Sequence, residues 1–203
     1  MDVCFIIGNN IDLERYDFSN KIVIGIDKGA YVAYQKNIKL DYAIGDFDSI
    51  SAEELESLEK YTTIIKLNPI KDVTDTEYAL DMFKEYDHLI ILGGIYGKRI
   101  DHFYAILKLF YKFPNLIIID DYTSISLCDM VQGFVKDEYT YYSFFALEDV
   151  YDLNLVGFKY PLNNYFLSHT SSLCASNEIK EENSFLSFSK GKLLLIKTKN
   201  ERN

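Results

Sequence analysis

In the first half of the chain, short apolar runs alternate with stretches whose apolar positions recur at helical spacing. Strands are predicted over residues 3–7, 21–26, 41–44, 62–67, 88–92 and 116–119, and helices over 29–37, 51–60, 75–86 and 101–111. Strand and helix in this rhythm build a mostly parallel sheet with helices on both faces. Beyond about residue 121 the helical period disappears. Short alternating segments rich in Tyr, Phe, Ser and Leu follow, over 124–128, 133–135, 139–145, 152–155, 164–167, 184–189 and 192–197. That spacing predicts an antiparallel β-sandwich. The expected fold is α/β plus all-β: an amino-terminal doubly wound, mostly parallel α/β domain over 1–121, then a carboxyl-terminal antiparallel β-sandwich domain over 122–203. Neither repeats nor a low-complexity linker interrupt the pattern.

A chain of 203 residues with 48% hydrophobic content can bury a substantial core unaided. Its net charge of −10 argues against nucleic-acid binding, which rests on basic patches facing phosphates. Any phosphate ligand is therefore expected to arrive with Mg²⁺. Cys4, Cys128 and Cys174 are odd in number and lack CxxC spacing, so they suggest reduced thiols rather than a disulfide framework or a zinc site. No apolar stretch is long enough for a transmembrane helix and the amino terminus lacks a basic flank, so a soluble, cytoplasmic protein is expected.

Candidate chemistry gathers at the predicted strand ends. GDFDSI, residues 45–50, places Asp46 and Asp48 after the apolar run Tyr42–Ala43–Ile44. In extended backbone, residues two apart share a face, so both carboxylates can reach one hard cation; an acidic turn closing a strand is the competing reading. In KDVTDTE, residues 71–77, Thr74 and Glu77 have capping-box spacing, with Asp72 and Asp75 flanking a helix start. Such an end suits a phosphate and its carboxylates a metal, while ordinary capping explains the same residues. GGIYGKRIDH, residues 93–102, is a strand–glycine-loop–helix context in which Arg99 can fork onto phosphate oxygens and Asp101 sits near a helix start. It matches neither a Walker A loop nor GxGxxG. Asp27, Lys28 and Gly29 end the second strand, as a turn or a further ligand contact.

Taken in order, GIDKGA, GDFDSI, KDVTDTEYAL and GGIYGKRIDH resemble the catalytic domain of thiamine pyrophosphokinases over residues 24–107. Gly157 to Leu162 and Ser176–Asn177–Glu178 resemble that family's thiamine-binding domain. The resemblance implies Mg²⁺-dependent transfer of the pyrophosphoryl group of ATP to the hydroxyethyl oxygen of thiamine, giving thiamine diphosphate and AMP. On that basis Asp46, Asp48 and Asp75 are assigned to the metal. Arg99 and Lys71 offset phosphate charge, and Asp72 or Asp101 orients the nucleophile or accepts its proton. Asp27, Lys28, Gly29, Thr74, Gly93, Gly97 and His102 are assigned to the nucleotide, and Ser176 and Asn177 to the aminopyrimidine. The resemblance also implies a homodimer with thiamine held between the first domain of one subunit and the second domain of the other.

Two departures stand out. Ile106 occupies a position where the family often has Asn, and the chain has no Trp, which some members place against thiamine. His88 and His169 are expected to be solvent-exposed. Rival readings are a pyrophosphokinase for another heterocyclic alcohol such as a hydroxymethylpterin, and a nucleotide-binding sensor without turnover. A haloacid-dehalogenase-like phosphatase requires DxDx[TV] after the first strand, whereas DFDSI follows the third.

Overall fold

The structure, a computed structural model, describes residues 1–8, 11–70, 72–95 and 99–200. The expected positions Lys71 and Gly97 lie outside the described residues. The chain divides into two compact units, Met1–Asp121 and Tyr122–Asn203.

The first unit carries β1 (Val3–Ile6), β2 (Ile22–Ile26), α1 (Lys28–Gln35), β3 (Tyr42–Gly45), α2 (Ala52–Tyr61), β4 (Thr63–Lys66), α3 (Asp75–Met82), β5 (Leu89–Leu92), α4 (Ile100–Lys108) and β6 (Leu116–Ile119). Its six strands lie in the order β4-β3-β2-β1-β5-β6, and every pair is parallel. Alternation along the strands explains why both faces are covered. Cys4, Ile6, Val23 and Ala43 pack with Ala30 and Ala33 of α1 and Leu58 of α2. The intervening residues point the other way, where Phe5 and Tyr42 each lie 6.0 Å, ring to ring, from Phe83 at the end of α3. The sheet is therefore doubly wound. The chain moves outward from β1 to β4 and then returns to β5 on the other side of β1. The switch point of the winding therefore lies at the carboxyl ends of β1 and β5, the usual ligand position in such sheets.

Helix boundaries follow local chemistry. At α2, the Ser51 hydroxyl accepts the Glu54 N–H (3.2 Å) while the Glu54 carboxylate accepts the Ser51 N–H (2.7 Å), a complete capping box. α3 stops at Met82 rather than at residue 86, and α4 gives way to a 3₁₀ turn over Leu109–Tyr111.

The second unit contains β7 (Thr123–Leu127), β8 (Val131–Phe134), β9 (Tyr141–Val156), β10 (Leu162–Leu167), β11 (Ser184–Ser187) and β12 (Lys190–Thr198). The sequence predicts two strands, over 139–145 and 152–155, where the structure has the single 16-residue β9. Asp149 falls in the gap between the two predicted strands, and Asp152 bends the chain at φ +55°. The chain nevertheless continues because pairing holds it. β12, which also pairs β7, runs antiparallel to β9 from Tyr141 to Tyr151 with register shifts near Lys192. β10 and β11 take the remainder, and β8 pairs β11. One long strand thus serves two antiparallel layers. Phe134, Phe144 and Phe158 meet edge-to-face in their common core at 5.4–6.0 Å. Among the described residues no helix is long and apolar enough to cross a membrane.

Candidate active site

β2 delivers Asp27 to the carboxyl edge of the sheet in a backbone conformation rare for a residue with a side chain, φ +47° and ψ −123°. Its N–H donates to the Ile44 carbonyl (3.0 Å), which fixes the end of β2 against the end of β3. Gly45 closes β3. A Cβ on Gly45 would stand 1.9 Å from Asp27 Oδ1, so only glycine leaves room for that carboxylate. Phe47 then turns the chain at φ +59° with its ring buried. Its N–H faces Asp27 Oδ1 at 3.5 Å, a long contact. Two strained residues on adjacent strand ends, each costing about 1–3 kcal/mol, are characteristic of functional sites.

This turn alters the expected geometry of GDFDSI. The extended backbone predicted for Asp46 and Asp48 ends at Gly45, and the Asp48 N–H donates back to Asp46 Oδ1 (3.2 Å). Asp46 is half-buried and Asp48 exposed. Asp75, first residue of α3, is half-buried and close enough to act on Asp27. Burial pushes the Asp27 carboxyl up to about 6, and the charges of Asp75, Asp46 and Asp48 push the same way against the Phe47 N–H. Four carboxylates therefore converge on one sheet edge. Beside them lie the starts of α1, where Lys28 is exposed and Gly29 buried, and of α3. Thr74 caps α3 by accepting the Glu77 N–H (3.1 Å), while the Glu77 carboxylate pairs with Lys112 (3.1 Å) instead of completing a capping box. Asp72 is exposed.

Arg99, Asp101 and His102 form a second, exposed cluster at the start of α4. Arg99 grips Asp101 through Nε and Nη2 (3.0 and 2.8 Å) and meets His102 Nε2 at 2.6 Å. The Arg99 hydrogen bond pulls the Asp101 carboxyl down to about 2. Gly93 and Gly94 leave β5 with φ +92° and +81°, and Ile7 and Ile106 pack beside Gly94.

In the second unit a cavity of about 390 Å³ is lined by Tyr160, Leu162, Leu173, Cys174, Ser176 and Asn177, among others. Ser176 is exposed and turns at φ +55°, its N–H donated to Ser143 Oγ (2.9 Å). Asn177 is 1% exposed.

Comparison with known proteins adds to this geometry. Residues 13–119 match the family described as "Thiamin pyrophosphokinase, catalytic domain", and residues 133–193 match "Thiamin pyrophosphokinase, vitamin B1 binding domain". The chain belongs to the thiamin pyrophosphokinase family. A thiamine pyrophosphokinase of Bacillus subtilis (strain 168) is 36% identical, with 92% of each chain covered. A crystal structure of thiamine pyrophosphokinase from Bacillus subtilis superposes with a TM-score of 0.88 at 34% identity, covering 98% of this chain and all of that one. The thiamin pyrophosphokinase from Geobacillus thermodenitrificans gives 0.88 at 29% identity, covering 100% and 99%.

Within this member of the thiamin pyrophosphokinase family, Asp27, Asp46, Asp48 and Asp75 are brought together, whereas the charge partners of Asp101 are Arg99 and His102. Among the described residues, no three carboxylate, imidazole or thiolate groups form a ready-made metal cage. The donor set still fits Mg²⁺, which is usually held by one or two carboxylates together with water and substrate phosphates. Asp120 was missed by sequence reasoning. It is 8% exposed at the end of β6, beside Gly93, whose N–H donates to the Ile119 carbonyl (2.9 Å). The run Ile117–Ile118–Ile119–Asp120 carries the same signal as Ala43–Ile44–Gly45–Asp46, an apolar strand ending in an acid. Nothing local in the sequence tells a cavity-wall tyrosine such as Tyr160 from a core one.

Proposed function

We propose that this chain transfers the pyrophosphoryl group of ATP to the hydroxyethyl oxygen of thiamine, with Mg²⁺ required. The carboxylate cluster at the carboxyl edge of a doubly wound sheet carries this reading, in a chain whose second unit matches a vitamin B1 binding domain. The same match favours thiamine over a pterin alcohol. Asp46, Asp48 and Asp75 would hold Mg²⁺, which when bound offsets charge on phosphate oxygens. The starts of α1 and α3 turn their positive dipole ends to the phosphates. Asp27, raised to about 6 by burial and its acidic neighbours, is the group most relieved when positive charge enters. Asp101 is a poor proton acceptor while Arg99 holds it near 2, which leaves Asp72 as the candidate for orienting the acceptor hydroxyl. The hydroxyl oxygen forms a bond to the β-phosphorus, the bond from the β-phosphorus to the α–β bridging oxygen breaks, AMP departs with that oxygen, and the hydroxyl proton passes to Asp72.

The test is product identity, with ATP and Mg²⁺ supplied and thiamine compared with a hydroxymethylpterin. AMP and thiamine diphosphate are expected. ADP with thiamine monophosphate, or turnover of the pterin alone, would overturn the reading. We further propose a homodimeric assembly, supported by the family membership.

A further inference from the structure

Asn177 was expected to hydrogen-bond the acceptor's aminopyrimidine, yet its side chain is committed elsewhere. Its Oδ1 accepts the Tyr160 N–H (2.9 Å) and the Glu178 N–H (3.0 Å), and its Nδ2 donates to the Tyr160 carbonyl (2.9 Å). An amide has two lone pairs and two N–H donors, so three of four capacities are used, in a residue only 1% exposed. Both backbone polar groups of Tyr160 are thus taken by one side chain, as a ladder partner in a sheet would take them. Asn177 is itself fixed from the other side, because its carbonyl accepts the Tyr142 N–H of β9 (2.8 Å). Tyr160 is 58% exposed and lines the cavity, so core packing does not hold its ring. Its neighbour Lys159 is tied to Glu178 by an ion pair (2.6 Å) and a backbone bond (2.9 Å) that run alongside the Asn177 clamp.

We infer that Asn177 is a positioning residue that acts on acceptor binding through Tyr160: the amide holds the Tyr160 backbone so that the ring walls the cavity. The inference rests on reading this cavity as the site of the flat, cationic acceptor.

The absence of tryptophan supplies the test, because Tyr160→Trp creates a protein with a single indole at the position in question. Thiamine is expected to change its emission on titration. Adding Asn177→Ala is expected to lower the indole anisotropy of the free protein and to raise the KM for thiamine about tenfold. Tenfold corresponds to about 1.4 kcal/mol, and kcat is expected to hold within about twofold. Asn154→Ala serves as the comparison. Asn154 makes a similar clamp, donating to the Asp152 carbonyl (2.9 Å) and accepting the Asn164 N–H (2.9 Å), and its loss should leave both anisotropy and KM unchanged. Should Asn177→Ala fail to fold, Asn177→Asp keeps the volume and both accepted bonds but sets a carboxylate oxygen against the Tyr160 carbonyl in place of the donor, and a shift in the same direction is expected. A raised KM with unchanged anisotropy would mean that Asn177 meets the acceptor directly and overturn the inference. Unchanged KM, or an equal effect from Asn154→Ala, would overturn it as well. If the Tyr160→Trp protein turns over thiamine with no change in indole emission, the cavity is not the acceptor site and the inference falls with that reading. Loosening of the indole by Asn177→Ala would then still be measurable, which separates the two failures.

Discussion

A carboxylate at φ +47°, pressed over a glycine and facing three other acids, is held there by the surrounding fold, and its protonation should register in stability. Asp27 has an ordinary value of 3.8 and about 6 in the folded chain, so the folded state binds the proton more tightly. Its contribution to stability is therefore greatest below about pH 4, declines as pH rises towards 6, and stays low above it. Asp27→Asn removes that decline. Its stability relative to the parent chain should increase between about pH 4 and 6 and then level off in denaturant titrations, and a flat difference would contradict the shift. Gly45→Ala drives a methyl into the same carboxylate. We expect lost stability and lost turnover, with the stability loss reduced when Asp27→Ala is also present, because removing the carboxylate gives the methyl room. Asp46→Asn, Asp48→Asn and Asp75→Asn should each reduce Mg²⁺-dependent AMP release by on the order of 10² while leaving thermal unfolding cooperative. The acidic residues themselves were legible in the sequence. The turn at Phe47 was not, because a left-handed phenylalanine is stabilised by its buried ring and by Asp27, twenty residues away.

At the scale of elements, helix starts were better announced than helix ends, by capping chemistry at Thr74 and by periodicity alone at α1 and α4, which begin without a side-chain cap. α3 begins at Asp75 where Thr74 predicts it, yet stops four residues short of the periodic pattern because Phe83 leaves the helix to pack on Phe5 and Tyr42. Thr74→Ala should destabilise the first unit by about 1 kcal/mol in denaturant titrations, and Thr74→Ser should restore most of the loss, since the hydroxyl oxygen is what accepts the Glu77 N–H. If Ser fails to restore it, the threonine serves the site through something other than capping. β9 shows the opposite limit. The alternating pattern breaks between residues 145 and 152, but a strand flanked along its length by β12, β10 and β11 continues through that stretch and absorbs the bend at Asp152.

For the whole molecule, the assembly reading is tested by light scattering. A mass near twice the 23.6 kDa chain is expected, and an active species at the single-chain mass would refute it. The sequence by itself determined the number and type of most elements, the change from helical period to alternation near residue 121, and the acids placed at strand ends. These are short-range properties, written in periodicity and in cap residues a few positions apart. Tertiary structure decided what those acids face: the strand order that puts the switch point beside β1, and the convergence of Asp27, Asp46, Asp48 and Asp75. It also decided that Asn177 spends three of its amide's four hydrogen-bonding capacities on backbone groups of Tyr160 and Glu178. Each of these depends on groups distant in sequence meeting at a few ångströms, and both electrostatics and hydrogen bonding are set at that distance.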